Sequence, residues 1–327
     1  MEIVRLGRSG LKVSDICLGT MTFGSGADQA MSFKLMDRFW ELGGTFLDTA
    51  NVYNGGVSEE IVGRWIKERG VRDQVVLATK VYGTTGPGPN ERGLSLIHIQ
   101  QAVEASLRRL QVDVIDLYQI HRWDFDSEPE ETLEALNDLV RQGKVRYIGC
   151  SNLRAWQLAE YLELARTHSW SHFVSIQPLY SALNRSIENE VLVFAARRGL
   201  GVIPYNPLAG GVLTGKYKRG EPLPEDTRLS DSEGYRDRYY TERTFDIVER
   251  FVAAAHARGL TPAQLALAWV RAEPRITSPI IGARNLKQLN DTLGRLDYVL
   301  TPEDRETIPT VLPGRWVGKD PVYDRGR

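Results

Sequence analysis

Residues 75–80 read VVLATK, 95–110 SLIHIQQAVEASLRRL, 115–121 IDLYQIH, 130–144 EETLEALNDLVRQGK and 145–151 VRYIGCS. Short β-branched runs alternate here with longer segments whose apolar residues recur at helical spacing. Strand–helix–strand units of this size build a parallel sheet, because parallel neighbours need a long crossover. Working outward, the same alternation predicts eight strands: Ile16–Gly19, Thr45–Asp48, Val75–Lys80, Ile115–His121, Val145–Ser151, Phe173–Gln177, Gly201–Tyr205 and Pro279–Gly282. SEEIVGRWIKE (58–68) and RAWQLAEYLELARTH (154–168) read as further helices. Ser58 is a candidate N-cap ahead of the acidic pair Glu59-Glu60, and Gly143 and Gly199 read as helix stops.

Eight βα units favour a closed (β/α)8 TIM barrel, which takes about 250 residues. The chain has 327. The surplus divides into an N-terminal hairpin (Val4–Leu6 and Leu11–Val13) capping the barrel floor, a long loop after strand seven (Leu208–Thr241) and a C-terminal tail. No linker or repeat interrupts residues 1–327, so one domain is expected. The alternative, a doubly wound sheet, requires a glycine fingerprint after the first strand; Gly24-Ser25-Gly26 and Gly86-Pro87-Gly88 lack its third glycine.

The composition, 42% apolar and 25% charged with a net charge of −1, is that of an ordered globular protein. It argues against a nucleic-acid binder or a protein of anionic membranes, both of which need a basic excess. Arg108-Arg109 and Arg197-Arg198 read as solvated helix faces. Two cysteines, Cys17 and Cys150, make no disulfide framework, no secretory leader is visible and no stretch is apolar enough to cross a bilayer. A cytoplasmic location is expected.

In a barrel, chemistry gathers where strands end. Strand two ends in Asp48, with Tyr53 in the next loop; strand three ends in Lys80 and strand four in His121. Each alone has an ordinary structural explanation. Together they form a proton donor: an ammonium favours the ionised phenol and lowers its pKa, Asp48 keeps Lys80 charged, and His121 polarises a substrate oxygen. Such a cluster suits carbonyl reduction. No metal site is expected: His168 and His172 lack an acidic partner and HExxH is absent. Gly210–Lys216 has the body of a phosphate-binding loop, but Tyr217 stands where Ser or Thr would hold magnesium. Its glycines still suit a diphosphate. Gly282, followed by Arg284 and a helix, is a second phosphate signal, and a guanidinium there favours NADP over NAD.

The ordered set RLGRSGLKVSDICLGTMTFG, FLDTANVY, SEEIVGRWI, LATKV, VDVIDLYQIH, GKVRYIGCSN, QPLYSALNR, YNPLAGGVLTGKY and PIIGARNLKQLNDTL resembles the aldo-keto reductase superfamily, on its bacterial branch near the potassium-channel β subunits. The resemblance runs from about Arg5 to Leu300. It implies an NADP(H)-dependent reductase of a small carbonyl compound, or the reverse oxidation of an alcohol, with Tyr53 as general acid/base and Asp48, Lys80 and His121 completing a tetrad. It further implies that Ser151 and Asn152 hold the cofactor carboxamide beside Gln177, and that Tyr205 stacks on the nicotinamide. Leu208, Gly210 and Lys216 would follow the diphosphate; Gly282, Arg284, Gln288 and Asp291 would take the adenosine end. Gly19, Thr20, Met21, Asp48, Asn206, Pro207 and Leu213 complete the cofactor set it suggests. Thr292 departs from the asparagine common at that position. Phe23, Tyr53, Tyr82, His121, Arg122 and Trp123 are the candidate substrate residues, with Trp316 from the tail. Two other readings remain open from sequence: a regulatory nicotinamide-binding subunit, and a Schiff-base aldolase using Lys80. Neither the substrate nor the oligomeric state is specified.

Overall fold

The computed structural model describes residues 1–320 and 322. Two short strands, β1 (Ile3–Arg5) and β2 (Lys12–Ser14), pair antiparallel with Val4 opposite Val13. Eight parallel strands follow: β3 (Cys17–Gly19), β4 (Phe46–Asp48), β5 (Val76–Val81), β6 (Ile115–Ile120), β7 (Val145–Ser151), β8 (Phe173–Gln177), β9 (Gly201–Val202) and β10 (Ile280–Ile281). Their order is β10-β3-β4-β5-β6-β7-β8-β9. The Ile280 amide donates to the Pro204 carbonyl at 2.8 Å, and a bridge between Tyr205 and Ile280 closes the ring. The fold is the expected (β/α)8 barrel with its N-terminal hairpin.

The last two strands are shorter than their sequence runs. Pro204 and Pro279 carry no amide hydrogen, so each stops the ladder beside it. Strand β6 is buried at every residue, because helices cover its outer face and side chains fill the barrel within. Leu6 and Val13 pack with Cys17, Phe46, Ala78, Leu117, Val174 and Ile203, so the hairpin plugs the floor.

The surrounding helices are α1 (Gln29–Glu41), α2 (Val57–Arg69), α3 (Leu96–Leu110), α4 (Pro129–Arg141), α5 (Ala155–His168), α6 (Val191–Arg198), α7 (Arg228–Asp231), α8 (Glu233–Tyr239), α9 (Glu242–His256), α10 (Pro262–Arg271), α11 (Leu286–Leu293) and α12 (Pro302–Thr307). Gly199, at φ 72°, ends α6, and Gly143, at φ 73°, follows α4. Ser58 is not the N-cap of α2. The helix begins one residue earlier, behind Gly56, and the Ser58 hydroxyl is buried against Thr20 and Thr49 instead.

The long segment after β9 is not structureless. It holds a 3-10 turn (Ala209–Thr214) and the short helices α7 and α8. The tail lies along residues 182–185 through Val311 N to Ala182 O, Arg185 N to Arg315 O and Val317 N to Leu183 O. Asp320 is buried and accepts from Asn184 Nδ2 at 2.7 Å and Ser186 Oγ at 2.9 Å.

Candidate active site

The parallel register puts the ends of the strands at one level: Gly19 pairs with Asp48, Lys80 with Gln119, and Ser151 with Gln177. At that end lies a cleft of about 1250 Å³. A single drug-sized ligand fills roughly 300–1,000 Å³, so the space suits a dinucleotide with a second small molecule.

At its base the Lys80 ammonium donates to an Asp48 carboxylate oxygen, to the Thr49 carbonyl at 2.8 Å and to the Tyr53 hydroxyl at 3.1 Å. The other Asp48 oxygen accepts from Gln119 Nε2 at 3.0 Å and Gln177 Nε2 at 2.9 Å. Asp48 and Lys80 are almost entirely buried. Such a pair is tolerable because each charge is met by the other and by further hydrogen bonds. The His121 ring stands edge-on to Tyr53, with centroids 6.0 Å apart.

Burial would lower the pKa of Lys80, but the charges and hydrogen bonds of Asp48 and Tyr53 outweigh it and raise it. The lysine stays an ammonium. Burial pushes the Tyr53 phenol up, Lys80 pulls it back and Asp48 opposes Lys80 again; the outcome lies above the ordinary value. The expectation of a lowered Tyr53 pKa is therefore corrected: desolvation exceeds the attraction of the ammonium, which is shared with Asp48. The phenol keeps its proton near neutral pH. Burial, then Lys80 and Arg122, hold His121 well below the usual imidazole value, so its ring is neutral. The aldolase reading loses its chemistry here, since a protonated lysine committed to three oxygens has no lone pair to offer a carbonyl.

From the candidate set, Gly19, Met21, Asp48, Tyr53, Tyr82, His121, Arg122, Trp123, Ser151, Asn152, Gln177, Tyr205, Asn206, Pro207, Leu208, Gly210, Lys216, Gly282, Arg284, Gln288 and Asp291 all line the cleft. Asn152 donates to the His121 carbonyl at 3.0 Å and accepts from the Tyr205 hydroxyl at 2.9 Å, tying β6, β7 and β9 together. Thr20, Phe23 and Leu213 do not line it. All three are fully buried behind the wall, Thr20 bonded to Ser58 and the Asp48 carbonyl, Phe23 and Leu213 in the apolar core. Trp316 bridges Asn184 instead of entering the cleft, although Val322 further along the tail does line it.

At the far end, Asn285 caps α11 by accepting from the Gln288 amide at 3.0 Å, and the Arg284 amide donates to Gln288 Oε1 at 2.8 Å. This helix start gives amide donors and a positive dipole end for a phosphate. The Arg284 guanidinium is held by Asp231 of α7 at 2.8 Å and by the Asp226 carbonyl. The same contact keeps the Asp231 carboxyl below its ordinary value. Gly210, at φ 67°, lies under the Tyr235 ring; a Cβ there would meet the ring at 2.7 Å. These groups fit a nicotinamide dinucleotide: cations and bare backbone at one end, a tyrosine face and amide partners at the other.

Sequence reasoning missed Gln119, Phe125, Arg154, Trp156, Arg228, Tyr235 and Arg238. Gln119 had a signal, since it alternates with His121 on one strand face. Among the described residues no group of three or more His, Cys, Asp or Glu side chains is placed to hold a metal ion, and no helix is long and apolar enough to cross a membrane.

Residues 15–312 match the model described as "Aldo/keto reductase family". The chain is 41% identical to an uncharacterized oxidoreductase, YrpG, of Bacillus subtilis, over 96% of this chain and 97% of that one. It is 35% identical to the norsolorinic acid reductase stcV of Emericella nidulans, covering 93% and 80%. It is also 35% identical to a probable voltage-gated potassium channel subunit beta of Oryza sativa subsp. japonica, covering 96% and 98%.

Proposed function

The chain belongs to the aldo/keto reductase family, and we propose that it reduces an aldehyde or ketone to an alcohol with NADPH, Tyr53 giving the proton. The observation that carries this reading is the buried relay of Asp48, Lys80 and the Tyr53 hydroxyl, the last link 3.1 Å long, at the base of a dinucleotide-sized cleft. The reductase names of the relatives support reduction in general.

When bound, the reduced nicotinamide supplies the hydride. Ser151 and Asn152 hold its carboxamide, Tyr205 supports its ring, and Lys216 and Arg284 meet its phosphates. The carbonyl oxygen sits between Tyr53 and His121. Neutral His121 donates one hydrogen bond to that oxygen and orients it. As negative charge builds there, Tyr53 passes its proton across, and Lys80 stabilises the phenolate that forms. Asp48 is a positioning residue: it keeps Lys80 charged and aimed. A raised phenol pKa leaves the donor loaded before each turnover, and the ammonium lowers the cost of unloading it. Tyr82, Arg122 and Trp123 wall the substrate end. We place the protein in the cytosol, which suits two buried free thiols.

The test is incubation with NADPH, and separately NADH, against a panel of aldehydes, ketones and sugars, with the alcohol identified by chromatography. Matched NADPH loss and alcohol formation is expected. NADPH binding without turnover on any panel member would instead point to a sensor or regulatory subunit.

A further inference from the structure

Eight of the 31 residues of the long segment from Leu208 to Arg238 are arginine or lysine side chains or their direct partners in the cleft; two of the arginines stand apart. Arg219 pairs outward with Glu242 and Asp246, Arg236 donates to the carbonyls of Leu229 and Ser230, and Arg284 reaches in to Asp231. Arg228 and Arg238 have no carboxylate partner among the described residues. Both line the cleft, and both guanidiniums lie over the Tyr235 ring, 5.4 and 5.2 Å from its centroid. Arg238 also lies 5.7 Å from the Tyr239 ring, and its Nε is enclosed with no hydrogen-bond partner.

Two half-buried cations on one ring repel each other, and tyrosine faces repay only part of their lost hydration. Asp320, whose charge reaches Tyr205 and Tyr239, directs its oxygens to Asn184, Ser186 and the Val322 amide. The carboxylates that line the cleft are Asp48, committed to Lys80, and Asp226 and Asp291. Tyr235 itself rests on Gly210, so the two arginines stand over the floor of the cleft.

We infer that Arg228 and Arg238, held on Tyr235, form an anion clamp for a phosphoryl or carboxylate group of a molecule bound in the cleft. The clamp is distinct from Lys216 and Arg284, and it rests on the proposal that a dinucleotide and a carbonyl compound share this space. Its anion comes from one of two sources, the cofactor diphosphate or an acidic group on the substrate.

Calorimetric titration of the full chain with inorganic pyrophosphate and with benzoate reads the clamp without turnover. Arg238→Met is expected to weaken at least one of them by ~10-fold or more, as loss of a charged hydrogen bond does. Arg238→Lys, which keeps the charge and most of the packing, should recover part of the loss, and Arg243→Gln on the exposed face of α9 should leave both titrations unchanged. The source follows from two further readings. A rise in the NADPH Kd alone assigns the clamp to the diphosphate. A rise in KM for para-carboxybenzaldehyde but not for benzaldehyde assigns it to a substrate acid. Arg228→Met and Arg238→Met variants that keep wild-type titrations, NADPH Kd and KM ratio overturn the clamp. A wild type that binds pyrophosphate but reduces nothing would count against the reductase reading and leave the clamp standing.

Discussion

Replacing Lys80 by Met removes one charge from the centre of the relay and separates its catalytic from its structural role. Tyr53 lies 3.1 Å from the ammonium; at an effective dielectric constant of about 20, unit charges at that distance attract by ~5 kcal/mol. If the phenolate is fully formed in the transition state, this is ~10⁴ in rate; if half formed, ~10². The variant also strands Asp48, which is 2% exposed, and leaving one buried charge unpaired costs ~3–5 kcal/mol of stability. Asp48→Asn with Lys80→Met removes both charges and should recover most of the melting temperature without recovering the rate. The assay pairs single-turnover reduction with thermal unfolding and NADPH binding. A Lys80→Met enzyme within tenfold of wild type, or a double variant that regains activity with stability, would refute the role given to the ammonium.

Other expectations follow from the same geometry. His121→Asn should lower kcat by ~10²–10³ through loss of one donor to the developing oxyanion, with NADPH binding unchanged. Because burial, Lys80 and Arg122 hold the His121 pKa well below 6.5, the wild-type reduction rate should show no limb centred on that pH. Arg284→Leu should weaken NADPH by ~10-fold or more and NADH little, read by fluorescence titration, as expected for one charged hydrogen bond to a phosphate. Glu273 is buried; burial raises its pKa, but Arg275 and Arg305 outweigh this and hold it below 4.5. A depressed carboxylate stabilises the fold above its unfolded pKa and loses that contribution as pH falls through the folded one. Glu273→Gln should therefore flatten part of the decline in melting temperature below pH 4.5.

The barrel was legible because its units repeat. β-branched runs and helical periodicity are local, and eight of them in succession leave few architectures. Strand ends were less so: Pro204 and Pro279 cut β9 and β10 short of the apolar runs that contain them. Asp48, Lys80 and His121 could be read from strand ends, since the register brings those ends level. Gln119 was passed over because it does not titrate, although alternation puts it on the inward face. Thr20, Phe23 and Leu213 show the limit of carrying a motif across by position, which says nothing of whether a side chain faces the cleft or the core. Arg228, Tyr235 and Arg238 sit on short helices within a segment that reads as a loop. Their convergence depends on how α7 and α8 fold back over Gly210, and no periodicity encodes that.

Tyr53 is the group on which the proposed reaction turns. The most direct measurement compares wild type with Tyr53→Phe, which removes one oxygen and leaves the ring beside His121. NADPH oxidation with the best aldehyde and the NADPH Kd are recorded on the same samples. A fall in kcat of ~10² or more, with cofactor affinity within about threefold of wild type, is the expected result. A Tyr53→Phe enzyme that turns over at the wild-type rate would show that the proton comes from elsewhere.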